Sequence, residues 1–286
     1  MKPLIDTDVL LYEIGYSGEF INEAGEHVVK SYEDVVANFD QKIKEICAEV
    51  WATEPPLLFL TNKKTLHRMA NKINKRKGKP EVEYKENFRN AIAKEKEYKA
   101  TRNNKKPVHF DNLTAHVINN YDYIIANGIE ADDAMSIYQY SNIDKLNTII
   151  CSRDKDLRIT PGMHFSWECG NQAQIGPMRV TDIGELTLDR NKIKGNGLKF
   201  FYSQLITGDT VDNIPGLPRK GPAFAYKLLS ELNTERELYD AVKGAYVSVY
   251  GDGWKGHMLE QGRLLWMVRE VDKDGEPVMW ELIDDL

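Results

Sequence analysis

Pro3-Leu4-Ile5-Asp6-Thr7-Asp8-Val9-Leu10-Leu11 is a short apolar run that ends in two acids and passes into a stretch compatible with either strand or helix. Three further runs of bulky or β-branched residues follow: Leu57-Leu58-Phe59-Leu60, Tyr123-Ile124-Ile125-Ala126 and Thr148-Ile149-Ile150-Cys151. The intervals between them are long enough for helices, and strands that alternate with helices build a parallel sheet. Such sheets bind ligands at the carboxyl ends of their strands. Acids stand at that end of three of the four runs: Asp6 and Asp8, then Glu130, then Asp154 and Asp156. The expectation is an α/β fold whose carboxylates converge on one edge of the sheet.

The chain has 286 residues, enough for one large α/β domain or a main domain with a smaller attachment. It contains no run of about 18 apolar residues and begins without a basic segment followed by an apolar one, so a cytoplasmic location with no membrane partner is expected. Cys47, Cys151 and Cys169 lack the paired spacing of a zinc site or disulfide framework and are expected as reduced thiols. The net charge is −6, yet residues 63–106 hold 16 Lys or Arg against 5 Asp or Glu, which leaves −17 for the rest. A basic segment inside an acidic chain suggests a phosphate-gripping arm beside a carboxylate-rich site, although a solvated basic helix has the same composition. Gly78 and Pro80 divide this segment into two stretches that read as helical. Beyond residue 200 the pattern is helical over Phe200 to Ile206, Ala223 to Leu232 and Gly262 to Val271, with a Gly- and Pro-rich loop from Gly208 to Pro222. The stretch from Asp272 to Leu286 shows alternating and acidic elements without an evident role.

Each acidic motif has an ordinary reading. Glu130, Asp132 and Asp133 open a helix, where acids complement the dipole. Asp154-Lys155-Asp156 is also a common surface turn, and Asp209 and Asp212 precede the tight turn Asn213-Ile214-Pro215-Gly216. Four such groups together, at strand ends and loops, are a different matter, because converging carboxylates are costly unless cations neutralise them. Oxygen-only ligands favour Mg²⁺ or Mn²⁺, and a pair of Mg²⁺ ions about 4 Å apart serves in-line phosphodiester cleavage.

The ordered set Ile5-Asp6-Thr7-Asp8, Phe88-Arg89, Tyr98-Lys99-Ala100-Thr101-Arg102, Glu130-Ala131-Asp132-Asp133, Ser152-Arg153-Asp154-Lys155-Asp156 and Gly208-Asp209-Thr210-Val211-Asp212-Asn213-Ile214-Pro215-Gly216 resembles the flap endonuclease/5′-exonuclease family, most of all its small free-standing bacteriophage members. The resemblance runs to about residue 232. It implies a PIN-like nuclease core with a mainly parallel central sheet flanked by helices, over residues 1–200. That core would include a basic helical arch at 63–106, and residues 201–286 would form a helical duplex-binding region containing a helix-hairpin-helix variant. By resemblance, Asp6, Glu130, Asp132 and Asp154 surround a first Mg²⁺ and Asp156, Asp209 and Asp212 a second, with Asp133 near either and Mn²⁺ able to substitute. Lys99 and Arg102 resemble the cationic pair that approaches the scissile phosphate and act with Asp154 and Asp156 in catalysis. Arg89 joins Tyr98, Lys99 and Arg102 at the DNA, where Tyr98 either stacks on a frayed base or serves in packing. Gly216 and Gly221 let backbone N–H groups approach a phosphate beside Arg219 and Lys220, with K⁺ beneath the turn.

Two departures stand out. Where many relatives carry an acid after the second strand, this chain has Leu60-Thr61-Asn62, so Asn62 removes a negative charge from the first site. Asp8 either compensates as a ligand or caps a helix. The stretch from Lys63 to Lys85 is longer than the family pattern suggests, as an extended arch or as a basic loop. The implied activity is 5′-3′ exonuclease or flap endonuclease hydrolysis near DNA 5′ ends, by a monomer, on duplexes with a 5′ end, flap or single-stranded overhang. RNA in RNA–DNA hybrids is a further substrate, and the setting is phage DNA replication or recombination in the host cytoplasm. Two rivals are a phosphatase with Asp6 as nucleophile and Asp8 as general acid, and a catalytically weak DNA-junction binder.

Overall fold

The computed structural model describes residues 1–100 and 105–283. The chain divides into two compact units that interleave in sequence: residues 1–86, 104–155 and 163–178 form the first, and 87–103, 156–162 and 179–286 the second. The basic segment 63–106 is thus shared between them.

The first unit opens with β1 (Lys2–Asp6), α1 (Thr7–Ser17), the short hairpin β2 (Glu19–Ile21) and β3 (His27–Val29), α2 (Tyr32–Glu49) and β4 (Leu57–Thr61). Next come α3 (Lys64–Arg76), the single turn α4 (Arg89–Ile92) in the second unit, α5 (Phe110–Asn120), β5 (Asp122–Ala126), α6 (Ala131–Tyr140), β6 (Thr148–Cys151), β7 (Gly162–Ser166) and β8 (Ile175–Val180). The strands form one sheet in the order β5-β4-β1-β6-β7-β8, and every pairing from β5 to β7 is parallel. Register sets Leu4 between Leu57 and Ile150. All four residues of β6 and four of five in β1 and β4 are buried, as expected of parallel strands covered on both faces. The stretch after Asp6 that fitted strand or helix is helix α1, because Asp6 accepts the Val9 N–H as its N-cap. On α2, Val35, Phe39, Ile43 and Ile46 make one apolar stripe and join Leu10, Leu11 and Ile14 in the core.

The second unit adds the hairpin β9 (Leu186–Asp189) and β10 (Lys192–Gly195), then α7 (Gly197–Thr207), α8 (Pro222–Leu229), α9 (Glu235–Tyr250) and α10 (Trp254–Leu265). Phe201 packs edge-on against Trp266 and Trp280, and the buried Tyr246 hydroxyl donates to the Leu205 carbonyl at 2.7 Å. Trp280 gives the stretch after Asp272 its role: it is 5% exposed and lies where a Cβ on Gly262 would stand 2.2 Å from its ring.

Three expectations are corrected. The helix expected over Gly262 to Val271 ends at Leu265 and begins earlier, at Trp254. Helix α9, capped by Thr234 and Glu237, was not anticipated. The second basic stretch is not helical between Lys79 and Glu86. Its backbone is held by Asn71, which both donates to and accepts from Val82 at 3.0 Å, and by Asn127, which accepts the Lys85 N–H at 2.8 Å and donates to the Glu83 carbonyl.

Candidate active site

In the sheet order, the chain runs from β1 outward to β4 and β5, then returns to β6 on the other side of β1. The gap between the carboxyl ends of β1 and β6 is therefore the switch point at which open parallel sheets bind ligands. Asp6 closes β1 there and is 1% exposed. The Ser152 hydroxyl, just past β6, donates to Asp6 Oδ2 at 2.6 Å and accepts the Asp154 N–H at 2.9 Å. One hydroxyl thus ties the two acid-bearing strand ends together. Burial pushes the Asp6 carboxyl up to about 7, against the Ser152 hydrogen bond, with the charges of Asp8 and Asp154 adding to the rise. Ser152 was not singled out from the sequence; the available signal was a hydroxyl two residues before the first acid of an acidic pair, directly after a strand.

Asp8 does not cap α1, since Asp6 does. Its Oδ2 accepts the Thr61 N–H at 3.1 Å, and the Thr61 hydroxyl accepts the Ala131 N–H at 2.9 Å. Asp8 therefore fastens the end of β4, which in turn holds the start of α6. Its carboxyl is raised chiefly by burial, with Lys63 opposing. Glu130 is the N-cap of α6 and forms a capping box with Asp133, whose Oδ2 accepts the Glu130 N–H at 3.1 Å. Asp133 is fully buried, while Asp132 on the neighbouring helix face is partly exposed.

Asn62 follows β4 and is 7% exposed. It donates Nδ2 to Asn127 Oδ1 at 2.7 Å. The orientation of Asn127 is fixed by the backbone of Glu83 and Lys85, so Asn62 has to present its amide nitrogen there. Asn62 Oδ1 is left buried without a hydrogen-bond partner among the described residues.

The second unit carries the other acids. Asp156 accepts from Gln204 Nε2 of α7 at 2.6 Å. Asp209 and Ile214 exchange two backbone hydrogen bonds that close the loop, and Asp209 Oδ1 accepts the Val211 N–H at 2.8 Å. Asp212 receives the Tyr98 hydroxyl at 3.1 Å and lies 3.8 Å from Lys99 Nζ; the Lys99 N–H donates to the Asp212 carbonyl at 3.1 Å. Tyr98, read as a base-stacking or packing residue, lies in this cluster with Lys99 Nζ 4.8 Å from its ring centroid. Arg219 is exposed, Lys220 lies over Phe224, and Gly221 precedes α8 with open space around it. Arg102 lies outside the described residues.

Two site expectations change. Arg89, expected at the DNA, is 1% exposed, with Nε and Nη2 donating to the carbonyls of Leu264 and Trp266 at 3.0 and 2.7 Å. It is a structural tie to the end of α10. The Gly216 N–H, expected to face a phosphate, donates to the buried Gln261 Oε1 at 2.9 Å. Glycine is required at 216 because a Cβ there would stand 2.3 Å from the Gly208 nitrogen at a φ of +66°.

Among the described residues no three His, Cys, Asp or Glu side chains already close around a point that could hold a metal ion. The first-unit donors nonetheless suit a hard divalent cation: they are carboxylate and amide oxygens. Asn62 Oδ1 lacks a partner among the described residues, and the Asp6 carboxyl, raised first by burial and then by the charges of Asp8 and Asp154, is one whose ionised form a cation would favour.

Topology and acid placement define a mixed α/β class with a mostly parallel six-stranded sheet, the fold of the 5′-exonucleases. One comparable solved structure is bacteriophage T5 5′-exonuclease with divalent zinc bound, 13% identical with a TM-score of 0.50, covering 93% of this chain and 99% of that one. The catalytic core of Rad2 in complex with DNA substrate is more distant, at 14% identity and TM-score 0.44 over 99% of this chain and 84% of that one. In sequence, DNA polymerase I of Rhizobium leguminosarum is 34% identical over 115 residues, 39% of this chain; the chain spans about a tenth of that relative's length. No protein-family model matches. Among the described residues no helix is long and apolar enough to cross a membrane.

Proposed function

We propose that the chain is a Mg²⁺-dependent 5′-3′ nuclease that hydrolyses phosphodiester bonds near DNA 5′ ends, as exonuclease or flap endonuclease, acting as a monomer. The observation that carries the reading is the Asp154–Ser152–Asp6 chain at the switch point between β1 and β6, the place where a parallel sheet presents its chemistry. The fold shared with T5 5′-exonuclease supports it. Asp6, Glu130, Asp132 and Asp154 would hold one ion and Asp156, Asp209 and Asp212 another, with Asp133 holding the start of α6 between Glu130 and the core. Bound Mg²⁺, or Mn²⁺ in its place, supplies a water of lowered pKa and a counter-charge for the scissile phosphate. Ser152 keeps Asp6 oriented, and Asp6 would present a carboxylate oxygen to the cation. Lys99, poised beside Asp212, exchanges that partner for the phosphate, and Arg102 joins it. Arg219, Lys220 and the Gly221 turn, the helix-hairpin-helix of this reading, grip the uncut duplex without reading sequence, over a K⁺ site. RNA–DNA hybrids, and phage replication or recombination in a host cytoplasm, belong to the same reading.

The test is cleavage of a duplex labelled separately at its 5′ and 3′ ends, in Mg²⁺ and in EDTA, beside Asp154→Ala/Asp156→Ala. Short 5′-labelled products that need Mg²⁺ and vanish in the variant support the reading. DNA that is bound yet stays intact in Mg²⁺ and Mn²⁺ brings the junction-binding alternative forward. The phosphatase alternative loses ground because Asp8, its general acid, is engaged with the Thr61 backbone.

A further inference from the structure

Residues 63–79 contain eight Lys or Arg and no acid, and all eight are exposed. Their arrangement is not that of a loose basic loop. Helix α3 is seated on the first unit by Leu66, Ala70 and the buried Asn74, and it packs against α5. Lys77 Nζ donates to the Ile118 carbonyl at the end of α5. The return segment is fixed as well: the Lys79 N–H donates to the Asn74 carbonyl, Asn71 clamps Val82, Tyr84 packs edge-on against His67, and Asn127 holds Glu83 and Lys85. With α3 seated on the Leu66–Ala70–Asn74 stripe, the 100° step of a helix puts Lys64, Arg68, Lys72 and Lys75 in one narrow band on the opposite side. That band is about 16 Å long at 1.5 Å per residue, the axial length of about five phosphates on one strand of a duplex. Lys64 is partly engaged by Glu86 at 3.7 Å, whereas no acid pairs with Arg68, Lys72 or Lys75 among the described residues.

We infer that the outer face of α3 is a fixed phosphate track, a second nucleic-acid contact separate from Lys99, Arg102 and the 208–221 loop. The cations of this band repel one another, and a polyanion laid along it relieves that repulsion. A phosphodiester backbone matches its linear form and spacing. The inference rests on the reading that the substrate is DNA and extends it to residues outside the proposed chemistry. The track binds without touching the reacting bond, so it governs affinity and salt dependence and leaves the chemical step alone.

The experiment compares the full-length protein with Arg68→Gln/Lys72→Gln/Lys75→Gln, and with the scattered exposed control Lys30→Gln/Lys44→Gln/Lys145→Gln. Anisotropy of a labelled 5′-flap duplex is followed in EDTA across a range of KCl concentrations. Each phosphate contact contributes about 0.9 to the slope of log K against log salt on duplex and about 0.7 on single strand. The α3 variant is expected to lose about 2 to 3 from that slope and on the order of a hundredfold in affinity near 0.1 M salt. Its single-turnover cleavage rate at saturating protein should match the wild type. An unchanged slope, or a loss equalled by the control, overturns the track. Normal DNA binding by the α3 variant, together with loss of wild-type binding to phosphatidylserine vesicles, also overturns it and assigns the face to a lipid surface. Absence of Mg²⁺-dependent cleavage in the wild type, with the slope change intact, removes the nuclease reading and leaves the track standing. The substituted side chains are exposed and glutamine retains helix propensity, so the unfolding midpoint serves as the check on folding.

Discussion

Ser152 Oγ lies 2.6 Å from Asp6 Oδ2, joining residues 146 positions apart in sequence across the carboxyl ends of two adjacent parallel strands. The same oxygen accepts the Asp154 N–H, so a single side chain sets the separation of the first two acids of the site. Ser152→Ala should leave the Asp6 carboxyl and the Asp154 amide without this partner. The expected cost is about 1–3 kcal/mol in urea unfolding with EDTA present, with weakened Mn²⁺ binding. A variant as stable as the wild type would show that water replaces the hydroxyl without penalty.

Asp6 also sets a pH dependence. Burial lifts its carboxyl from 3.8 to about 7, so the folded chain holds this proton more tightly than the unfolded one. The Asp6 contribution to stability is complete below its unfolded value of 3.8 and is lost as pH rises to about 7. The slope of its contribution is at most about 1.4 kcal/mol per pH unit. Urea midpoints measured in EDTA across this range should fall for the wild type and flatten for Asp6→Asn.

The Asn62–Asn127 pair offers a test of the neutral position in the first site. Asn127→Ala removes the group that fixes the Asn62 amide and leaves Asn62 itself in place. Manganese binding, read from the free-ion paramagnetic resonance signal, should weaken by about tenfold or more, as when an orienting partner of a ligand is lost. Wild-type affinity in this variant would mean that Asn62 Oδ1 does not face the ion.

Arg89→Ala separates the structural reading of this residue from the DNA-contact expectation. Two buried carbonyls, of Leu264 and Trp266, lose their donor, and a loss of about 2–4 kcal/mol is expected in thermal or urea unfolding. Affinity for DNA per folded molecule should not change. A selective drop in affinity at full stability would restore Arg89 to the interface.

The glycines of the 208–221 loop should divide sharply. Gly208→Ala puts a Cβ 2.3 Å from the Ile214 carbonyl oxygen, and Gly216→Ala puts one 2.3 Å from the Gly208 nitrogen, both at positive φ. Each should cost more than about 1 kcal/mol in thermal unfolding. Gly221→Ala, with nothing within 4 Å of the added carbon, should be close to neutral.

Much of the sheet was legible because parallel strands declare themselves locally. Leu57–Leu60 and Thr148–Cys151 are short unbroken apolar runs, and their burial on both faces needs no knowledge of their neighbours. The same holds for Asp6, Glu130 and Asp154 at strand ends, since chain order and the parallel rule fix which end they occupy. Helix α9 was missed, although its Thr234–Glu237 capping box is a local signal that could have found it.

The sequence reading placed Arg89 at the DNA and residues 79–86 in a charged helical stretch, and there only tertiary structure decided the outcome. Arg89 is buried because two carbonyls more than 170 positions away are aligned to receive it. The return segment is not helical because Asn71 and Asn127 offer it side-chain hydrogen bonds that compete with a helix. Ser152 and Asn127 reach their partners in the first unit, and Gln204 its partner in the second, for the same reason. The sequence by itself determined which residues could carry charge and where the four parallel strands β1, β4, β5 and β6 lie, because those follow from local period and polarity. Which donor meets which acid depends on the register of distant elements, and that exists only in the folded chain.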